Sequence, residues 1–158
     1  MALEYLVGTK IIDELKELIS TNKDKDIVLK HTVTLLKQRY PKYTWVGIYL
    51  LEEDELVLHN FMGKPSPHTR ISIVKGICGA AIQEKQSIIV PDVNLEPRYL
   101  ACSVETRSEI VVPIMTEEKI FGEIDIDSNL ENIFHECDQE ILEKICSLLA
   151  KNWSMFKI

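Results

Sequence analysis

Apolar residues recur at every third or fourth position near both ends of the chain, which is the spacing of one helix face. In the first segment, residues 3–19, these positions are Leu3, Val7, Ile11, Leu15 and Leu18. A second segment with this spacing starts near Ile27 and ends at Pro41, because proline cannot continue a helix. We therefore predict two amphipathic helices that pack on a sheet, with a dimer interface as the alternative use of their apolar faces.

The spacing changes from helical to alternating after Thr44, where apolar and β-branched residues predict strands. Residues 52–54 form an acidic turn in the first of two predicted hairpins, and Gly76 opens a short helix between the hairpins. Residues 92–107 predict a long connection that packs against the domain. The predicted strands are residues 45–51, 56–61, 71–73, 87–90, 109–115 and 119–127.

Helical spacing returns from about Glu136, with Ile141 and Ile145 on the apolar face of a C-terminal helix. Strands grouped between terminal helices predict an α+β fold with a mainly antiparallel sheet. We expect one domain over residues 1–158, which divides into N-terminal helices at 1–40, a sheet and pocket at 43–128 and a C-terminal helix at 136–158.

Composition and charge exclude several classes of partner. The chain has 158 residues, a net charge of −7 and no stripe of basic residues, so it is a poor candidate for nucleic-acid binding. No segment approaches the run of roughly 18 apolar residues that spans a membrane. The residues at 1–4 lack the basic and apolar regions of a signal peptide, so we expect a cytoplasmic protein.

The four cysteines, Cys78, Cys102, Cys137 and Cys146, form no CxxC pair and are expected to be reduced in the cytosol. No histidine has a partner at metal-ligand spacing, so we expect no metal site. Burial in the core is the ordinary interpretation of a free cysteine, and we apply it to Cys137 and Cys146 in the C-terminal helix.

The second hairpin carries acidic residues on one face. In its first strand Glu109 alternates with isoleucine and valine, and in its second strand Glu123, Asp125 and Asp127 alternate with isoleucine. Matching the apolar faces pairs Ile110 with Ile124 and Ile114 with Ile120, which places Glu109 opposite Asp125.

Two interpretations of this acidic face remain open. It is either a solvated polar surface or a cavity for a cation, an amine or a protonated oxygen. In the second case, like charges held close together raise the pKa of one carboxyl group, which suits that group to general-acid chemistry.

Five segments in sequence order resemble the GAF domain and, within that family, the free methionine-R-sulfoxide reductases. They are residues 45–51, 76–81, 99–102, 108–113 and 122–128. The resemblance covers about residues 27–150. It implies terminal helices on one face of the sheet and a ligand pocket on the other.

The resemblance also implies roles for individual residues. The catalytic cysteine of the family falls on Cys102, and its acidic trio falls on Glu109, Asp125 and Asp127. Aromatic residues that line the substrate pocket match Trp45 and Tyr49, and a second family cysteine matches Cys78. Many members have a third cysteine where this chain has His68, so the resemblance is to a two-cysteine variety.

The implied reaction is an antioxidant reduction of free methionine-R-sulfoxide that needs no bound cofactor. The thiolate of Cys102 attacks sulfur, Glu109 supplies a proton, and Asp125 and Asp127 hold the substrate. The resulting sulfenic acid condenses with Cys78, and a thioredoxin-like reductant restores both thiols. A homodimer is also expected, with the apolar faces of the N-terminal helices as a candidate interface.

Acidic surroundings oppose thiolate formation, and Arg98, Arg107 or His68 are candidates to offset them. The main alternative is a sensory GAF module that binds a small ligand without catalysis, since residues 92–107 also resemble such modules. A purely structural dimer subunit is the third possibility, and it requires the acidic face to be solvated.

Overall fold

A computed structural model describes residues 2–101 and 103–157 and contains one six-stranded antiparallel sheet with strand order β3-β2-β1-β6-β5-β4. The helices are α1 (Ala2–Thr21), α2 (Lys25–Arg39), α3 (Gly76–Glu84) and α4 (Glu136–Lys151). The strands are β1 (Trp45–Glu52), β2 (Glu55–Met62), β3 (Arg70–Ser72), β4 (Ile88–Val90), β5 (Ser108–Met115) and β6 (Ile120–Ser128). The predicted strands and the first three helices are present within a few residues, which confirms the α+β fold with a mainly antiparallel sheet. The C-terminal helix is shorter than the predicted 136–158, because it ends at Lys151 and a separate short turn follows at Trp153–Met155.

Helices α2 and α4 cover one face of the sheet, hereafter the helical face, and α1 packs against both of them. The three helices and this face form the larger apolar core. Polar groups buried in this core have partners: the Thr32 hydroxyl donates to the Val28 carbonyl at 2.8 Å, and the Tyr43 hydroxyl donates to Asp138 Oδ1 at 2.5 Å. Cys146 is also buried here and donates to the Val112 carbonyl, with 3.6 Å between sulfur and oxygen.

Helix α3 covers the opposite face of the sheet, hereafter the acid face. A second apolar cluster lies there and includes Trp45 and Tyr49 from β1. Glycine lets α3 approach closely, because a Cβ atom at Gly79 would lie 2.4 Å from the carbonyl oxygen of Ile73. Gly47 likewise leaves room for the Trp45 indole, which a Cβ atom would meet at 2.3 Å.

The register predicted for the second hairpin is wrong by two residues. Ile110 pairs with Ile126 and Glu109 pairs with Asp127, so Glu109 does not lie opposite Asp125. The turn is tighter than the prediction assumed, and a bulge after Ile114 shifts the pairing. The predicted faces are nevertheless correct, because a shift of two residues leaves every side chain on its original side.

None of the helices in the described part of the chain combines the length and the apolar character that crossing a bilayer requires.

Candidate active site

Four carboxyl groups are buried together on the acid face. Their residues are 3% exposed at Glu109, 0% at Glu123, 1% at Asp125 and 3% at Asp127. The interpretation of this face as a solvated polar surface is therefore wrong. The alternative of a purely structural dimer subunit required a solvated acidic face, so it is no longer favoured. Glu123, Asp125 and Asp127 each bury an oxygen without a hydrogen-bond partner among the described residues, which costs free energy and points to a functional cavity.

The sheet brings these acids together because Glu109 of β5 pairs with Asp127 of β6, and every second side chain of β6 lies on the same face. Burial raises the pKa of Asp125 and of Asp127, and hydrogen bonding to Glu109 opposes that rise at both residues. Among the described residues, no partner within hydrogen-bond distance reaches Asp125 Oδ1, Asp127 Oδ1 or either oxygen of Glu123. Glu123 lies on the predicted acidic face, but the sequence interpretation assigned it no role.

Burial sets the protonation of the cluster. Removal from water raises the pKa of Glu123, Asp125 and Asp127, and the charge of Asp125 raises the pKa of its two neighbours further. Protonated carboxyl groups are therefore favoured here at pH values where exposed acids are ionised.

Cys78 projects from α3 onto this cluster. Its thiol donates to Asp125 Oδ2, with 3.5 Å between sulfur and oxygen, and the residue is buried. Burial and the negative charges of Asp125, Glu123 and Glu109 raise the pKa of the Cys78 thiol well above its usual range. Cys78 is therefore a neutral thiol beside the acids.

Cys102, the predicted nucleophile, lies outside the described residues, so its role stays a prediction. The residues that precede it reach the acid face. Leu100 contacts the cavity beside Glu109 and Asp125, and the Ala101 carbonyl is 2.8 Å from Nε2 of His68. His68 thus contacts the residue next to Cys102.

The two predicted pocket aromatics border the acids through strand pairing. In β1, Trp45 lies opposite Asp127 and Tyr49 lies opposite Glu123. Their polar atoms hold the loop that follows β2: the Trp45 indole donates to the Lys64 carbonyl at 2.9 Å, and the Tyr49 hydroxyl donates to the His68 carbonyl at 2.7 Å. These residues therefore connect the acids to the loop that contacts Ala101.

The two arginines proposed as counter-charges form ion pairs near the surface. Arg98 is 3.1 Å from Glu84, and Arg107 is 3.0 Å from Glu131. Both arginine side chains are partly exposed. Their guanidinium groups are thus engaged with surface acids, while His68 is held at the Ala101 carbonyl.

Two cavities reach the acid face. One of about 10 Å³ is bordered by Cys78, Leu100, Glu109 and Asp125, together with residues of β3 and α3. The other, of about 120 Å³, is bordered by Trp45 and Asp127 and by the loops on either side of them. The first is large enough for about one water molecule or ion.

Comparison with known proteins identifies the fold family. Residues 24–153 match the GAF domain family. The free methionine-R-sulfoxide reductase of Escherichia coli is 37% identical over 123 residues, which cover 78% of this chain and 74% of the relative. The enzyme of the same name from Saccharomyces cerevisiae is 44% identical over 112 residues, which cover 68% of this chain and 62% of the relative.

A solved structure shows the same relationship. The free methionine-R-sulfoxide reductase of Neisseria meningitidis in complex with its substrate superimposes with a TM-score of 0.90. Its sequence is 31% identical, and the match covers 96% of this chain and 90% of that one. This chain therefore belongs to the GAF domain family and is homologous to the free methionine-R-sulfoxide reductases.

Proposed function

We propose that this protein reduces free methionine-R-sulfoxide to methionine with a cysteine nucleophile. The observation that carries the proposal is the buried group of Glu109, Asp125 and Asp127 beneath the thiol of Cys78. Relatives named as reductases at 37% and 44% identity support the oxidoreductase class.

In the first step the thiolate of Cys102 attacks the sulfur of the sulfoxide. The sulfoxide oxygen takes up a proton from Glu109 and passes to the cysteine as the S–O bond of the substrate breaks. The products are methionine and the sulfenic acid of Cys102. The substrate sulfur is reduced by two electrons and the cysteine sulfur is oxidised by two.

Substrate recognition falls to the remaining acids and the aromatics. Asp125 and Asp127 have oxygens without partners among the described residues, so the ammonium group of a free amino acid would satisfy them. Trp45 borders the 120 Å³ cavity with Asp127 and supplies an apolar wall, and the buried Tyr49 ring lies next to the Trp45 ring with 6.5 Å between centroids. The cavity at Glu109 holds about one water molecule, so a substrate that reaches Glu109 requires a bordering residue such as Leu100 to move.

Regeneration requires Cys78 to attack the sulfenic acid. The Cys78 proton has an acceptor in Asp125 Oδ2 at 3.5 Å. The attack forms a disulfide between Cys78 and Cys102 and releases water, and a thioredoxin-like dithiol then reduces the disulfide. We place the protein in the cytoplasm, where such reductants operate, and the homodimer stays a prediction.

The deciding experiment follows NADPH consumption with thioredoxin, thioredoxin reductase and free methionine-R-sulfoxide. We expect turnover by the wild type and none by Cys102→Ser. The variant Cys146→Ala, which alters a buried thiol on the helical face, serves as the matched control and should retain activity. Ligand binding without turnover by the wild type would support the sensory module instead.

A second measurement tests the role of Cys78. One equivalent of substrate without reductant should give a disulfide between Cys78 and Cys102 in peptide maps. Recovery of Cys102 only as sulfenic acid would assign Cys78 a structural role.

A further inference from the structure

Ligand-type side chains from three separate elements meet at the smaller cavity of the acid face. Cys78 of α3, Glu109 of β5 and Asp125 of β6 each present one atom, and these three atoms lie within 4.8 Å of one another. All three residues are buried. Their positions along the chain gave no metal-ligand pattern, because the fold and not the local sequence brings them together.

The cavity between these residues fits one ion. Its volume is about 10 Å³, and all three side chains border it. Asp125 is 1% exposed and its Oδ1 has no hydrogen-bond partner among the described residues. A buried carboxylate oxygen without a partner costs free energy, which a cation in the cavity would recover.

We propose that this cavity binds a thiophilic divalent cation of the Zn²⁺ class through Cys78 Sγ and one carboxylate oxygen from each of Glu109 and Asp125. Zn²⁺ accepts both thiolate and carboxylate ligands, and three protein ligands leave its fourth position for water. Mg²⁺ and Ca²⁺ take oxygen ligands, so the sulfur disfavours them.

Occupancy of this site would stop the reaction. The cation would hold the proposed proton donor, Glu109, and the proposed second thiol, Cys78, in one coordination shell. Inhibition therefore rests on the function proposed above, whereas binding of the cation does not depend on it.

Cobalt is the spectroscopic probe for this site, because Co²⁺ accepts the same ligands and absorbs light. Metal-free reduced protein is titrated with Co²⁺ under anaerobic conditions. We expect one equivalent to produce a thiolate-to-cobalt charge-transfer band and the visible bands of a four-coordinate ion. Added Zn²⁺ should bleach both sets of bands, and Mg²⁺ should leave them unchanged.

Variants identify the ligands. Cys78→Ser should lose the charge-transfer band, whereas the control Cys146→Ala should keep it. Asp125→Asn should keep the band but weaken Co²⁺ binding. Loss of a residue that only orients a metal ligand typically costs about 10- to 100-fold in affinity, and loss of a direct ligand should cost at least as much. Because this second variant retains the thiol, it tests the site even where Cys78→Ser fails to fold, which circular dichroism reports.

The outcomes separate this proposal from the reductase activity. A Cys78-dependent cobalt band in a protein without turnover supports the metal site and contradicts the proposed reductase activity. An active enzyme whose cobalt band is absent, or persists in folded Cys78→Ser, overturns the site. In the active enzyme, Zn²⁺ should also abolish turnover and a chelator should restore it.

Discussion

The two faces of the sheet differ in whether their buried polar groups have hydrogen-bond partners. On the helical face, the hydroxyls of Thr32 and Tyr43 each find a hydrogen-bond acceptor inside the core. On the acid face, Glu123 and Asp125 are as deeply buried, yet carboxylate oxygens there have no partner among the described residues. The same strands therefore support a satisfied core on one side and an unsatisfied polar cluster on the other.

This difference separates stability from chemistry in the molecule. Paired polar groups and apolar packing on the helical face contribute to the free energy of unfolding. Buried acids without partners lower that free energy and persist where they serve a ligand or a proton transfer. Substitutions on the helical face should therefore change stability, and substitutions on the acid face should change activity first.

The largest effect is expected from Glu109→Gln, which keeps the shape of the side chain and removes its acidic proton. Loss of a general acid typically lowers a rate by roughly 10²- to 10⁴-fold. The free energy of unfolding should hold or rise, because the variant removes one of the two carboxyl groups paired across β5 and β6. Turnover at saturating substrate and the urea midpoint are measured on one preparation.

The control for this variant is Glu117→Gln, an exposed acid in the turn of the same hairpin. It should behave as the wild type in both measurements. Full activity of Glu109→Gln, or an activity loss that only follows unfolding, would contradict the assignment of Glu109 as a functional acid.

The next effect belongs to the helical face. Leu36 is 0% exposed, so Leu36→Ala should lower the free energy of unfolding by about 2–5 kcal/mol. Leu3, which is 70% exposed, provides the matched control, and Leu3→Ala should change the urea midpoint little. Turnover per folded molecule should be unchanged in both variants, and a specific rate loss in Leu36→Ala would break the separation of the two faces.

The elements of the fold could be predicted because periodicity reports local geometry. Helical and alternating spacing identified α1, α2, α4 and the strands, since each needs one apolar side. The hairpin register could not be derived in the same way. Pairing Ile110 with Ile124 satisfies the hydrophobic pattern, and so does pairing Ile110 with Ile126. The tight turn and the bulge after Ile114 determine that the second pairing forms.

The candidate site was only partly predictable for a related reason. Alternation placed Glu109, Asp125 and Asp127 on one face, but it carries no information about what covers that face. Their burial depends on α3 and on the residues around Leu100, which are distant in sequence. The contact of Cys78 with Asp125 depends on the same tertiary packing and has no local signature.

A smaller effect is expected from Tyr43→Phe, which removes a buried hydrogen-bond donor on the helical face. Asp138 would lose the 2.5 Å hydrogen bond to its Oδ1, so the free energy of unfolding should fall by about 1–3 kcal/mol. Tyr5 offers the matched control, because its hydroxyl donates to Glu140 at the surface and Tyr5→Phe should cost far less. Equal losses in the two variants would contradict the importance of burial.

The smallest effect is expected from Glu123→Gln on the acid face, which should change the free energy of unfolding little at mildly acidic pH. Burial raises the pKa of Glu123 in the folded protein above its value in the unfolded chain. The folded state therefore binds more protons, and the stability that this group contributes is present below the unfolded pKa and is lost as pH rises through the folded pKa. Glutamine does not titrate, so the free energy of unfolding of Glu123→Gln does not show this pH-dependent loss.

The free energies of unfolding of wild type and Glu123→Gln should thus be similar near about pH 5 and should diverge in favour of the variant as pH rises. Urea midpoints measured from about pH 5 to about pH 8 test the divergence, and Glu118→Gln at the exposed turn is the matched control. Parallel curves for wild type and Glu123→Gln would mean that Glu123 is compensated in the folded protein. Divergence would make it an acid that the fold tolerates at a cost to stability, in contrast to Asp138 on the helical face, which two hydrogen bonds satisfy.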